Sequence, residues 1–236
     1  MSFVFCVKIA DVQIQIDNRF DDVFIMCRDY LTNDEPMVSI SVNDDEIEFE
    51  RRFSDFDYSV GMFEATAVYR KISLKLLQFD AFLFHSAVIE FDGRAYAFAA
   101  KSGVGKSTHI RLWQERFGDR VKIINGDKPI MREINGQIYA YGTPWCGKEG
   151  YNINTKAPLG GVCFLERGES NHIEKMNAVS ALGRIYSQII MPKDKDKCDR
   201  MLSLLDDFVT NVSFFRLHCT ISQDAVRVAH DMMVNG

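Results

Sequence analysis

The chain has 236 residues, 47% hydrophobic and 26% charged, with a net charge of −5. That is the composition of a folded protein with a real core, and it excludes a disordered or fibrous chain. No apolar run is long enough to cross a bilayer, and residues 1–10, interrupted by Lys8, lack a signal-peptide layout.

The charge is uneven. Residues 1–80 carry 8 Lys/Arg against 16 Asp/Glu, and residues 81–236 carry 20 against 17. The small positive excess suits a polyanion site but is too slight to argue for nucleic acid. Cys6, Cys27, Cys146, Cys163, Cys198 and Cys219 are scattered, with neither zinc spacing nor a disulfide framework. Reduced thiols in a cytoplasmic protein, with no membrane or nucleic-acid partner, are the expectation.

Residues 1–58 are expected to form a small β-rich N-terminal subdomain. Runs 3–7, 12–16 and 38–42 read as short strands. The last two alternate apolar and polar residues, which predicts an antiparallel sheet with one wet face. Asp44-Asp45-Glu46 reads as a solvated turn. Over 59–80 the period lengthens: Met62, Ala65, Tyr69, Ile72, Leu76 and Phe79 recur at three- and four-residue steps, while Glu64, Arg70, Lys71 and Lys75 lie mainly off that stripe. This predicts an amphipathic helix connecting the subdomain to a body over 81–236.

Residues 81–91, apolar on both faces, read as one buried strand, and Asp92-Gly93 as a hairpin turn from which 94–99 pairs back. A helix is expected over 107–117 and a strand over 121–125. A hairpin over 130–141 turns at Asn135-Gly136, and 142–150 is a glycine-rich loop. Then come a strand at 159–166, helices at 178–191 and 195–209, and a strand at 212–217. A last helix, capped by Ser222, buries Ala225, Val226, Ala229, Met232 and Met233. The fold class is α/β with a mixed sheet.

The stretch Ala100-Lys101-Ser102-Gly103-Val104-Gly105-Lys106-Ser107-Thr108 joins a strand to a helix and reads as a phosphate-binding loop of the Walker A kind, with Ala100 where the full pattern has Gly. Such a loop aims backbone N–H groups at phosphate oxygens and adds the positive end of the helix. Ser102, Gly103, Val104, Gly105, Lys106, Ser107 and Thr108 form the candidate nucleotide-binding set. Lys106 would reach the outer phosphates and Ser107 would hold Mg2+. Asp127, delivered by an apolar strand to the sheet's edge, suits a second Mg2+ contact.

His85, in an apolar strand, reads by itself as a core histidine; a polar contact near the transferred phosphate enters only with the family resemblance described next. Lys148 reads as a charge clamp or a surface lysine. Trp145 would stack on a base or pack under its loop. Arg132, Arg167 and Arg184 are candidate cationic clamps. Cys146 has no evident histidine to make it a nucleophile, and Lys101 reads as solvent-facing.

Three segments stand together: Phe84-His85-Ser86-Ala87-Val88, Ser102 through Thr108, and Asn125-Gly126-Asp127. They resemble the HPr kinase/phosphorylase catalytic domain and its relative, the nucleotide domain of ATP-dependent phosphoenolpyruvate carboxykinase. The loop Gly142-Thr143-Pro144-Trp145-Cys146-Gly147-Lys148 also looks like that of small bacterial carboxykinase-like or HPr-kinase-like proteins. The resemblance covers residues 80–165 and implies a P-loop core with a partly antiparallel sheet. It implies ATP or another nucleoside triphosphate, Mg2+ held by Ser107 and Asp127, and catalytic roles for His85, Lys106, Asp127 and Lys148.

The reaction so implied is phosphoryl transfer to a hydroxyl, in a serine of a small protein or peptide or in a metabolite. The N-terminal subdomain would recruit the acceptor or support a neighbouring subunit of a homo-oligomer. The family usually has adjacent carboxylates where this chain has Gly126-Asp127-Lys128, so one acid of the pair is missing. Two other readings stay open: a nucleotide-binding regulatory module without turnover, and a carboxykinase-like or NTPase activity.

Overall fold

The computed structural model describes residues 3–236. β1 (Phe3–Ile9) and β2 (Val12–Asn18) form an antiparallel hairpin. Its two turn residues, Ala10 and Asp11, both have positive φ, as a turn matching the strand twist requires. The chain continues through α1 (Asp21–Met26), β3 (Val38–Ser41) and α2 (Asp44–Arg52).

β3 pairs parallel with β2, so the expected antiparallel sheet is antiparallel only at its first hairpin. Alternation reports a buried face and says nothing of strand direction, and here the crossover through α1 sets the direction. The Asp44-Asp45-Glu46 cluster is not a turn either. It is the first turn of α2, where Asn43 accepts from the Glu46 amide and the Glu46 carboxylate accepts from the Asn43 amide. Acidic side chains there meet the positive end of the helix.

α3 (Val60–Lys75) follows, capped by Ser59. Ala65, Tyr69, Ile72 and Leu76 are buried as the stripe predicts. Glu64 is also fully buried, against expectation, because its carboxylate accepts from the backbone amides of Arg19 and Phe20. α3 and the small sheet share one apolar cluster with Ile130, Tyr141 and Trp145 of the body. Hydrogen bonds from Arg132 to the Ala10 carbonyl and from the Tyr141 hydroxyl to Asp11, both 2.6 Å, cross the same junction.

The body comprises β4 (Ala81–Leu83), β5 (Ala87–Phe91), β6 (Arg94–Ala99), α4 (Lys106–Phe117), β7 (Val121–Asn125), β8 (Ile130–Ile134), β9 (Gln137–Tyr141), β10 (Lys156–Arg167), β11 (His172–Met176), α5 (Ala178–Tyr186), α6 (Lys195–Asn211), β12 (Phe214–Cys219) and α7 (Gln223–Met233). The strands form one mixed sheet in the path β4-β8-β9-β10-β6-β5-β7, with β12 also on β10 and β11 on β12. β10 holds it together. Its first residues run antiparallel to β9, and the rest lies parallel between β6 and β12.

The expected single strand over 81–91 is two strands. β4 pairs with β8, β5 pairs with β6 and β7, and Phe84-His85-Ser86 is the step between them. β11 was not legible, because its residues are mostly polar and only Ile173 is buried. α5 stops at Tyr186 rather than 191. Side chains alternate across the sheet. Ala95, Ala97 and Ala99 face the cluster containing Phe208 and Phe214, and Tyr96 and Phe98 face the cluster containing Trp113 and Ile110. Among the described residues no helix is long and apolar enough to cross a membrane.

Candidate functional site

β6 ends at Ala99, and the chain turns through 100–105 into α4. Gly103 and Gly105 have φ of 77° and 121°, which side-chain-bearing residues rarely adopt. Gly105 is the N-cap of α4, and no side chain caps it. The first-turn N–H groups are thus left for an anionic oxygen. Ala100, standing where a glycine was expected, is buried in the α4-side core, so its methyl group contributes packing.

The step at 84–86 is laced to the segment after β7. The His85 amide donates to the Gln188 carbonyl at 2.7 Å and the Ser86 amide to the Asp127 carbonyl at 3.2 Å. This holds the His85 ring against Asp127. His85 Nε2 lies 2.7 Å from Asp127 Oδ1 and 3.2 Å from Lys106 Nζ. One ring nitrogen serves one of these partners at a time. Protonated it donates to Asp127, and unprotonated it accepts from Lys106. Lys128 Nζ donates to the other carboxylate oxygen at 2.7 Å. The structure thus brings His85, Lys106 and Asp127 together, with Lys128 as a fourth member.

Burial works to raise the Asp127 pKa, but the His85 hydrogen bond and the Lys128 charge outweigh it and hold the carboxyl well below its usual range. Burial pushes the Lys106 ammonium down, with Lys128 acting the same way, while Asp127 and Glu149 oppose the shift.

Asn125, fully buried, sets where Asp127 sits. Its Oδ1 accepts from the Asp127 amide at 2.9 Å and the Lys128 amide at 2.7 Å. Its Nδ2 donates to Thr143 and to the Trp145 carbonyl. Gly147, at φ 82°, approaches so closely that a Cβ there would stand 3.2 Å from the Asp127 Cβ. The 142–150 loop therefore closes on Asp127, and Glu149 on it is a second carboxylate acting on Lys106. Sequence reading missed the roles of Asn125 and Glu149. An Asn ahead of a tight turn is a readable signal, whereas nothing in the pattern marks Glu149.

Other candidates lie apart. Lys148 is exposed, its ammonium 5.1 Å from the Phe56 ring centroid, and is directed to the N-terminal segment. Trp145 is buried, donates from Nε1 to the Ala65 carbonyl and packs 5.5 Å from Tyr69, so it underlies the loop and does not stack on a base. Burial and the Asp127 charge push the Cys146 thiol up, away from a reactive thiolate. Arg132 braces the N-terminal hairpin, and Arg184 pairs with Glu166. Arg167 is the clamp candidate that reaches the loop, donating to the Gly103 carbonyl at 2.6 Å. Lys101, Ser102 and Gly103 are exposed, while Val104, Ser107 and Thr108 are half-buried.

Among the described residues no three His, Cys, Asp or Glu side chains are grouped to cage a metal. Mg2+ does not need such a cage, since it takes one or two carboxylates plus water and substrate phosphates. The hard oxygen donors of Ser107 and Asp127 fit that requirement.

No protein-family model and no curated protein matches the sequence. Among solved structures, the chain is similar to the Hpr(Ser) kinase/phosphatase from Coxiella burnetii, at 10% identity and a TM-score of 0.38, over 65% of this chain and 99% of that one. Any relationship at that level is distant at most.

Proposed function

We propose that this protein is a Mg2+-dependent phosphotransferase that uses ATP, or another nucleoside triphosphate, and phosphorylates a hydroxyl. The observation that carries the reading is the meeting of Lys106, His85 and Asp127 beside a helix start that no side chain caps. Loop amides and Lys106 hold the outer phosphates. Ser107 and Asp127 would hold Mg2+, which when bound supplies charge neutralisation at the phosphate oxygens. With Nε2–H given to Asp127, His85 Nδ1 carries the lone pair and accepts the proton of the acceptor hydroxyl. Asp127, kept ionised, stabilises the imidazolium so formed.

The test is transfer of label from [γ-32P]ATP to a cell extract or a serine-peptide library. Labelled acceptor is expected, with rates falling at least ~10²-fold in Lys106→Ala and Asp127→Ala. One observation favours a second reading, a nucleotide-binding module without turnover: Lys128 already neutralises Asp127 at 2.7 Å. Tight nucleotide binding with neither transfer nor hydrolysis in any extract would establish that reading and sink the first.

A further inference from the structure

Asp127 and Lys128 are neighbours in sequence, and the turn they share is fixed at three backbone groups. Asn125 Oδ1 accepts from both of their amides, and the Lys128 carbonyl accepts from the Thr143 hydroxyl at 2.7 Å. So held, the Lys128 ammonium lies 2.7 Å from Asp127 Oδ2, while His85 Nε2 lies 2.7 Å from Oδ1. We infer that Lys128 sets metal selectivity: its ammonium bars a free divalent cation from Asp127 and yields only when a polyphosphate chain lies in the loop. The inference rests on the reading above that Asp127 is a metal ligand.

Three observations carry it. The first is that both carboxylate oxygens are engaged. A divalent cation arriving alone must take an oxygen that already accepts a hydrogen bond, or sit beside the ammonium. The second is charge. An ammonium and a doubly charged ion on one carboxylate repel each other. The Lys128 and Asp127 side chains are only 31% and 22% exposed, so water and salt screen that repulsion in part. A bound triphosphate brings several negative charges and reverses the balance, so metal and phosphate chain bind as a coupled pair.

The third is a second seat for the ammonium. The Tyr69 ring centroid lies 5.6 Å from Lys128 Nζ, within cation–π reach. Tyr69 is itself buried and packs against Trp145, with ring centroids 5.5 Å apart. A lysine drawn off Oδ2 therefore keeps an attractive partner, and its flexible stem makes the move without shifting the backbone. A carboxylate at position 128 would draw a free cation towards Asp127, whereas the lysine there does the opposite.

The test is titration of the full chain with Mn2+ in the absence of nucleotide, followed by loss of the free-ion electron paramagnetic resonance signal. Mn2+ accepts the same hard oxygen ligands as Mg2+. Lys128→Met, and independently Lys128→Gln, should bind Mn2+ at least about tenfold tighter than the unaltered chain. Lys128→Arg keeps the charge and should bind as weakly as the unaltered chain. Lys148→Met removes a loop cation that does not touch Asp127 and should change the affinity by less than about twofold. Affinity for preformed Mn2+–tripolyphosphate should not rise in Lys128→Met, because there the phosphates supply the compensating charge. Unchanged Mn2+ affinity in both neutral variants, an equal gain in Lys148→Met, or an equal gain for the tripolyphosphate complex overturns the role of Lys128. The metal reading still stands in that event if Asp127→Asn, in the otherwise unaltered chain, weakens binding of Mn2+–tripolyphosphate. A gain in Lys128→Met that survives the addition of Asp127→Asn places the ion elsewhere and brings down the metal assignment itself.

Discussion

Asn125 carries no charge, yet its buried amide joins three parts of the site: the end of β7, the Asp127-Lys128 pair and the 142–150 loop. Replacing it with Ala strips partners from two amides and two carbonyls. Asn125→Ala should cost roughly 1–3 kcal/mol for each group left buried and unpaired, seen as a lowered urea midpoint. Asn125→Asp keeps the Oδ1 acceptor and should recover part of that loss. A second residue-scale effect concerns pH. Cys27 is fully buried, and burial pushes its thiol up to about 12. In the unfolded chain the thiol ionises near ~8.5. Below that pH both states keep the proton and nothing is lost. Above it the unfolded chain releases a proton that the folded chain retains, so stability falls as pH rises towards 12, by at most ~1.4 kcal/mol per pH unit. Burial pushes the Cys163 thiol and the Tyr30 and Tyr69 hydroxyls up as well, so chemical denaturation between pH 8 and 11 should show a combined slope that Cys27→Ala reduces by up to ~1.4 kcal/mol per pH unit without abolishing it. Asp127 and Lys106 stood out as candidates in the sequence because a short local pattern, a strand end and a glycine-flanked loop, marks each. Glu149 did not, because only folding brings it to Lys106.

Two elements position the groups of the candidate site, and neither is regular. The first is the step at 84–86. A strand continuous from 81 to 91 would have kept His85 in a ladder. The split instead lets β4 pair with β8 and β5 with β6, which frees the ring to reach Asp127. Continuous apolar character could not reveal the break, since both halves are buried. The second is the 142–150 loop, whose approach to Asp127 depends on Gly147. Gly147→Ala places a side chain at φ 82° against Asp127 and should cost roughly 1–3 kcal/mol if the backbone holds. If the loop retreats instead, phosphoryl transfer should fall while ATP affinity stays within about twofold. Thermal denaturation together with steady-state kinetics separates the two outcomes.

At the scale of the whole molecule, the N-terminal hairpin and the body share a core. Val7, Ile14 and Ile16 lie in one cluster with Ile130, Tyr141 and Trp145. The two tryptophans report on different clusters, Trp145 on this one and Trp113 on the α4 side of the main sheet. Variants retaining only one of them, Trp113→Phe or Trp145→Phe, should each show a single fluorescence transition, and the remaining tryptophan should track far-UV circular dichroism in the same sample. An early Trp145 transition would mean that the N-terminal part unfolds alone. Sequence by itself determined the glycine-flanked loop, the helix after it, the hairpins at Asp92-Gly93 and Asn135-Gly136, and the arrival of Asp127 at a strand end. Each rests on φ preferences or a short hydrophobic period within a few residues. Tertiary structure decided the rest: the parallel β2–β3 pairing, the two-sided use of β10, the break that turns His85 to Asp127, and the placing of Glu149 and Arg167 about the loop. Those depend on which segments meet across tens of residues, and such pairings leave no periodic trace in the chain.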